Sequence, residues 1–525
     1  MNFDEVERRA NGVAAVGDSK LTHRMPKSRK RSEISVSGEL PDVRGAKEPV
    51  AGVNNARSQV REKKQEGEFA TFSDGQESNV FVQIPAYRDA QLIPTVKDLV
   101  ETSAHPTMLR IVIVWQHADD ESITDFKDAG IEPLRTVVEN GRTVHYASLS
   151  TAAIEIIDVA FTDSKGCGWA RNLAQQRYRG ERYNLQIDAH HRFATNWDAR
   201  MVAMLESLRE TSESPILTGY PPSFDPRTDP VGRQLSTGAI TVRRFSSSGI
   251  MIFKSVPMPD YDTRRRPFRA RFMAGGFVFS DGKFAREVMN DPEQFFSTEE
   301  IVMSARAYTH GYDFYHPHEP MIWHQYLNPS PKIWDDHSNE AEASGMVEKA
   351  ASRRISSALQ KAYLTLGITD DLLPAMSPRY GLGAKRTLAD YERFAGFCLT
   401  RRAVRKEALL PSEPDGSSKT LDDTDWAKGL VCPRTMIVRL SLRSSATLNE
   451  SAVIVVSRSD DGSEVSVRSL TNDQISLLSK NGHLVYSETI THHVGSPPTS
   501  YSVYLAEEAE KESESLTIAV EEDFS

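Results

Sequence analysis

The residues with the clearest chemistry are Asp188 and His190, in the segment QIDAHHRF. Residues two apart on an extended chain point to the same side. A carboxylate oxygen and an imidazole held side by side suit a divalent cation such as Mn²⁺ or Mg²⁺. A third donor is available in His324, which ends the apolar stretch of MIWHQY beside Trp323. His316 and His318 alternate in YHPHEP and compete for that role. His191 is expected on the other side of the chain from His190. A plainer reading stands beside this one: a strand-end Asp capping the next turn, a surface His190 and a satisfied, half-buried His324.

A second stretch, GCGWARNLAQQRYRG at 166–180, leads straight into the strand ending at Asp188. Its glycines allow close backbone approach before a helix. Arg171 and Asn172 are expected in the first helical turn, where free N–H groups and the dipole favour an anion. That suits a phosphate or nucleotide; the alternative for Arg171 is a surface salt bridge.

These residues need a scaffold. NVFVQIP from Asn79 and RIVIVWQ at 110–116 read as buried strands. Residues 89–103 place Leu92, Val96, Leu99 and Val100 on one helical stripe, and a weaker helix is expected near 121–129. VHYASLS, IEIIDVAF and YNLQID are further extended runs, with a helix at 168–179 before the last. Such alternation predicts a mainly parallel sheet covered by helices, with ligands at the strand C-terminal edge. Extended runs at 238–245, 249–256, 269–280 and 321–326 follow, with helices near 282–290, 298–310, 340–366 and 387–397. The expected class is α/β, followed by a small all-β, sandwich-like region in which Asp460-Asp461-Gly462 marks a hairpin. The expected divisions are a disordered charged leader (1–74), the α/β domain (75–405), a polar linker (406–428) and a β domain with an acidic end (429–525). The basic run at 27–31 reads as solvated linker, or as a contact for an acidic partner.

Composition narrows the function. The 525 residues carry 63 Lys plus Arg against 73 Asp plus Glu, a net charge of −10, so nothing global favours nucleic acid or an anionic membrane. The three cysteines, Cys167, Cys398 and Cys432, form no CxxC or finger spacing, which argues against a disulfide framework or structural zinc. No secretory signal is visible, and no apolar run approaches the roughly 20 residues of a membrane span. A soluble, cytoplasmic protein is expected. There is no GxGxxG or GxxxxGK[ST] loop.

IPAYRD at 84–89, GCGWARNLAQQRYRGERYNLQIDAHHRF with its downstream NWD, and YGLGAKRTLADYERFAG at 380–396 resemble the N-acetylglucosaminyltransferase family. Its best-known members attach GlcNAc to hydroxyproline of a cytoplasmic ubiquitin-ligase subunit. More distantly, the stretch resembles polypeptide N-acetylgalactosaminyltransferases. The resemblance spans about 79–400. It implies a GT-A fold, a UDP-sugar donor and a divalent metal held by Asp188, His190 and His324. It implies that Ala86, Tyr87 and Arg88 sit beside the uridine, with Arg171 approaching the nucleotide. Glu299 and Glu300, in FFSTEEIVMSARAYTHGY, fall where such transferases carry an acidic motif that binds the donor sugar or orients the acceptor hydroxyl. For Glu300 the alternative is a capping box with Ser297. Gly275-Gly276 resembles the glycine pair near the donor sugar; a β-bulge is the alternative. The implied activity is transfer of a sugar, GlcNAc first, from a UDP-sugar to a hydroxyl of a protein, peptide or glycan acceptor, with retention of configuration. The β domain is available for acceptor or partner binding. Competing functions are a metal-dependent hydrolase and an inactive binding module on a transferase fold.

Overall fold

The computed structural model describes residues 80–296, 298–368, 377–414, 416, 420–441, 453–471, 474, 479–480, 483–505 and 520–522. The expected leader, Ser297 and most of the acidic end lie outside the described residues.

The chain begins with β1 (Val80–Tyr87), α1 (Leu92–Glu101), β2 (Leu109–His117) and α2 (Ile123–Asp128). It continues with β3 (Glu132–Glu139), β4 (Arg142–Leu149), β5 (Ala152–Ala160), α3 (Cys167–Gln175), β6 (Tyr183–Ile187) and β7 (His191–Phe193). Then come α4 (Trp197–Ser207), β8 (Pro215–Thr218), β9 (Gly238–Phe245), β10 (Met251–Pro257), β11 (Phe268–Ala270) and β12 (Phe277–Asp281). The site is completed by α5 (Glu299–Thr309), β13 (Asp313–His316), β14 (Ile322–His324) and α6 (Ala351–Thr365).

Ten strands form one sheet in the order β11-β13-β8-β12-β6-β1-β2-β5-β4-β3. The period of two divides each central strand between two cores. Val80, Val82 and Ile84 of β1 and Ile111 and Ile113 of β2 pack with the α1 stripe of Leu92, Val96, Leu99 and Val100. Phe81, Val112 and Val114 face the other way, against Trp169, Ala170 and Ala174 of α3. Both sheet faces are therefore covered, and β6, β1, β2 and β5 run parallel with a common C-terminal edge.

The sheet is mixed rather than mainly parallel. Besides the three central pairings, only β8 with β13 is parallel; β12 runs antiparallel to both β6 and β8. At the other end β3, β4 and β5 form a meander. Its first turn is Asn140-Gly141, with φ of 51° and 76°, which twists two strands into a tight hairpin. That dipeptide was a legible signal of antiparallel pairing. A helix the patterning missed, α4, starts after Asn196 in the left-handed region and buries Met201, Met204 and Leu205. Its Asp198 accepts from Ser103 Oγ and the Ala104 and His105 amides, tying it to the end of α1.

Beyond α6, Phe397–Cys398 and Ala403–Arg405 pair on into a sheet with Leu430–Ser441 and His483–His493. A three-stranded sheet joins Glu464–Leu470, Val453–Ser459 and Pro498–Leu505, and the hairpin at 460–462 connects the first two. Between residues 406 and 428 lies a short helix, Asp423–Lys428, whose Trp426 is buried. No helix among the described residues is long and apolar enough to cross a membrane. The three cysteines are free.

Glycine at 168 is a close-approach residue. A Cβ there would lie 2.5 Å from the carbonyl oxygen of Gln294 and 2.9 Å from that of Asp291. An alanine inside a helix ordinarily stabilises by about 1 kcal/mol over glycine. Here Gly168→Ala is expected to destabilise by about 1–3 kcal/mol, because backbone has to move. Denaturant unfolding checks this; a stabilised variant would refute the close packing.

A candidate metal centre at the sheet edge

Asp188 lies one residue beyond β6, at the C-terminal edge of the parallel strands. The chain bends over residues 188–190 and resumes as β7, which pairs antiparallel with β14 and sets His324 opposite His191. A fold-back thus brings residues 136 positions apart in sequence to one place, 324 − 188 = 136. One ligand atom each from Asp188, His190 and His324 lies within 4.8 Å of the others. His324 Nε2 is 3.5 Å from Asp188 Oδ2.

The protonation states suit a cation. Burial opposes charge on Asp188, but the His324 hydrogen bond and the Arg171 charge outweigh it and hold the carboxyl well below its ordinary value. Burial pushes His324 down to about 4, so its imidazole is neutral near pH 7. An ionised carboxylate and a neutral imidazole are what a divalent metal requires. His324 Nδ1 is buried without a hydrogen-bond partner, as is His191 Nε2. The donor set therefore fits the metal that the motif implied.

Asp89 completes the set from behind, and sequence reading had not singled it out. Its Oδ2 meets His190 Nδ1 at 2.8 Å and accepts from Asn328 Nδ2 at 2.9 Å. Its Oδ1 accepts from the Gln91 amide. A carboxylate on Nδ1 directs the Nε2 lone pair outward, toward the shared centre. The available signal was an Asp placed just past the end of β1, on the ligand edge.

The acidic pair is divided by its contacts. Arg171 Nη2 donates to Asp188 Oδ1 at 3.0 Å, and Nη1 donates to Glu299 Oε1 at 3.2 Å. Glu299 Oε2 is buried and unpartnered. Glu300 accepts from the Gly275 amide at 3.0 Å and from the Tyr220 hydroxyl. Burial pushes Glu300 up to about 7, despite the lowering effect of those two donors. The capping box is thus corrected for Glu300. Its side chain serves Gly275 and Tyr220; Ser297 lies outside the described residues, and Thr298 is the N-cap, with no side-chain cap bond.

Arg171 also differs from expectation. The helix begins at Cys167, so Arg171 and Asn172 fall in its second turn, away from the free N–H groups. Arg171 is 2% exposed, and its two terminal nitrogens serve carboxylates. Asn172 donates to the Asn290 carbonyl. Gly275-Gly276 lies in a loop before β12. A Cβ on Gly276 would sit 2.5 Å from Asp188 Oδ2, and one on Gly275 2.9 Å from Glu299 Oε1. Bare backbone is required here by the carboxylates themselves.

The remaining candidates are placed as follows. Tyr87 hydroxyl and Arg88 Nη1 both reach Asp336 Oδ2, at 2.8 and 2.9 Å, and the Ala86 carbonyl accepts from Gln116 Nε2. His316 is structural: it accepts from the Ile240 amide and meets the Thr218 carbonyl at 2.7 Å. His318 is outside the three-ligand group. His191 does not point away. Its ring is 4.9 Å from that of His324 and stacks parallel to His190 at 6.1 Å, because the bend at 188–190 breaks the strand alternation.

Two outcomes follow from this geometry. Asp89→Asn is expected to weaken Mn²⁺ binding about 10–100-fold by isothermal titration, with an unchanged circular dichroism spectrum. Equal affinity would remove Asp89 from the set. Glu300, raised from an ordinary 4.5 to about 7, contributes stability that is full below pH 4.5 and lost as pH rises through about 7. Glu300→Gln should therefore gain on wild type between those limits, by up to about 3 kcal/mol. A difference in Tm independent of pH would contradict the buried acid.

The family model described as Glycosyltransferase (GlcNAc) matches residues 79–401. No curated protein matches the chain. Among solved structures, GalNAc-T7 with UDP, GalNAc and Mn²⁺ is 16% identical, with a TM-score of 0.35 over 60% of this chain and 54% of that one. S. aureus TarS is 11% identical, with a TM-score of 0.30 over 79% and 72%. The mannosyltransferase PcManGT from Pyrobaculum calidifontis, with GDP-Man and Mn²⁺, is 14% identical, with a TM-score of 0.28 over 55% and 70%. The family match covers more than half the sequence and holds the whole Asp188–His190–His324 set, and on that ground the chain belongs to the GlcNAc glycosyltransferase family.

Proposed function

We propose that this protein is a GT-A transferase that moves GlcNAc from UDP-GlcNAc to a hydroxyl of a protein or peptide acceptor, with a divalent metal, first Mn²⁺, and with retention. The observation that carries the reading is the convergence of Asp188, His190 and His324 within 4.8 Å. A cation bound there supplies Lewis-acid neutralisation of the pyrophosphate leaving group. The chain's own residues do the rest. Asp188 offers an ionised oxygen whose direction Arg171 fixes. Asp89 sets the tautomer of His190. Glu299 keeps Oε2 free to accept from a hydroxyl of the sugar or acceptor, its other oxygen being held by Arg171. Glu300 orients the Gly275 amide and through it the bare backbone beside Asp188. A uridine reaching the end of β1 would meet the Tyr87–Arg88–Asp336 cluster.

Acceptor class and the cytoplasmic setting rest on the hydroxyproline-transferase resemblance of the motifs. Hydrolysis through two metals needs a second ligand group; among the described residues one group of three occurs.

The test is a panel of UDP-sugars with Mn²⁺, scored for UDP release. UDP-GlcNAc should give the fastest release, and Asp188→Ala and His324→Ala should each lower it at least about 100-fold. Release unchanged in both variants would overturn the metal-dependent reading; faster release from another sugar would overturn the donor.

A further inference from the structure

A second cleft opens on the same edge of the sheet, around the ends of β4 and β5, and shares no lining residue with the metal centre. Its volume is about 540 Å³, within the range of small-molecule sites. Arg142, Lys165, Trp169 and Arg354 line it. Three features of the two arginines stand out. Arg142 makes no ion pair among the described residues; its guanidinium lies 5.5 Å from the centre of the Trp169 ring. Arg354 has a buried Nε without a partner, and its one ion contact among the described residues is a long one, 3.5 Å to Glu348. Arg354 also lies in the opening residues of α6, whose first turn carries no acidic residue. Cations at a helix N-terminus oppose the dipole, and an anion beside them removes that conflict.

Of the carboxylates lining the cleft, one, Glu348, answers these charges. Asp158 is shared between His117 Nε2 at 3.0 Å and His145 Nε2 at 3.1 Å. Asp163 is exposed at the mouth. Glu348, 67% exposed, bridges Lys165 and Arg354 as an internal stand-in that a ligand can displace. We propose that this cleft binds a small polar molecule through an oxyanion, phosphate or carboxylate, held by the Arg142 and Arg354 guanidinium groups. Planar guanidinium forks match such oxygens two at a time. The proposal is independent of the transferase reading.

The experiment titrates the full chain, stripped of metal on a chelating resin so that the metal centre is out of play, with inorganic phosphate or acetate at constant ionic strength. Binding is read by calorimetry and Tm. At least one anion should bind and raise Tm; which binds more tightly identifies the phosphate or carboxylate source. Arg142→Gln should weaken binding about tenfold or more, and Glu348→Gln, at an exposed position that leaves folding intact, should tighten it severalfold. Failure of both anions to bind, or binding indifferent to Arg142→Gln and Glu348→Gln, overturns the proposal whatever the outcome of the UDP-release assay.

Discussion

The buried guanidinium of Arg171 is the interaction on which the site depends. Asp188 and Glu299 come from distant parts of the chain, and their carboxylates share a pocket where like charges repel. One cation with its side chain 3% exposed answers both. Leaving a buried charge without its partner costs about 3–5 kcal/mol, so the bridge constrains where α3 and α5 can stand. The backbone enforces the same arrangement. Gly166, at φ 104°, lets the chain enter α3 against Phe295, and Gly168 brings the helix onto the carbonyls of Asp291 and Gln294. That loop runs directly into α5 and Glu299. Packing by two glycines and charge by one arginine therefore locate the same two carboxylates.

Around this bridge the candidate ligand atoms are sorted by environment. Burial keeps His324 neutral, while the His324 hydrogen bond and the positive field of Arg171 together keep Asp188 ionised against its burial. The adjacent Glu299 and Glu300 have different partners. Glu299 is paired with a cation; Glu300 meets a tyrosine hydroxyl and a peptide N–H, and burial raises its proton affinity in spite of them. Two neighbours on one helix thus acquire different electrostatic roles from their partners, not from their type. The parallel strands make this possible by delivering Asp89, Asp188 and the α3 entry to one edge. The cleft around Arg142 and Arg354 uses the same edge, two strands along, with α3 forming a wall of both through Trp169 and Arg171.

Local patterns in the sequence determined a good deal. The apolar stripe of α1, the buried strands β1, β2 and β6, and the class of the domain follow from periodicity, because a side chain's face depends only on its neighbours in the chain. The pairing of Asp188 with His190 was legible for the same reason; by residue type His324 was one of three candidate third donors, beside His316 and His318, and the family resemblance singled it out. The Asn140-Gly141 turn and the Met201–Met204–Leu205 spacing of α4 were also legible, though they were passed over.

Tertiary structure decided the rest. The bend at 188–190 turned His191 into the site, against strand alternation. Arg171 became a bridge between carboxylates because the helix began one residue earlier than the motif suggested and buried its side chain. Glu300 left its helix cap for Tyr220, 80 residues away in sequence. Asp89 acquired its role only when β6 came to rest beside β1. Each of these depends on a partner distant along the chain, and charge, burial and proton affinity are properties of such partnerships rather than of residues taken singly.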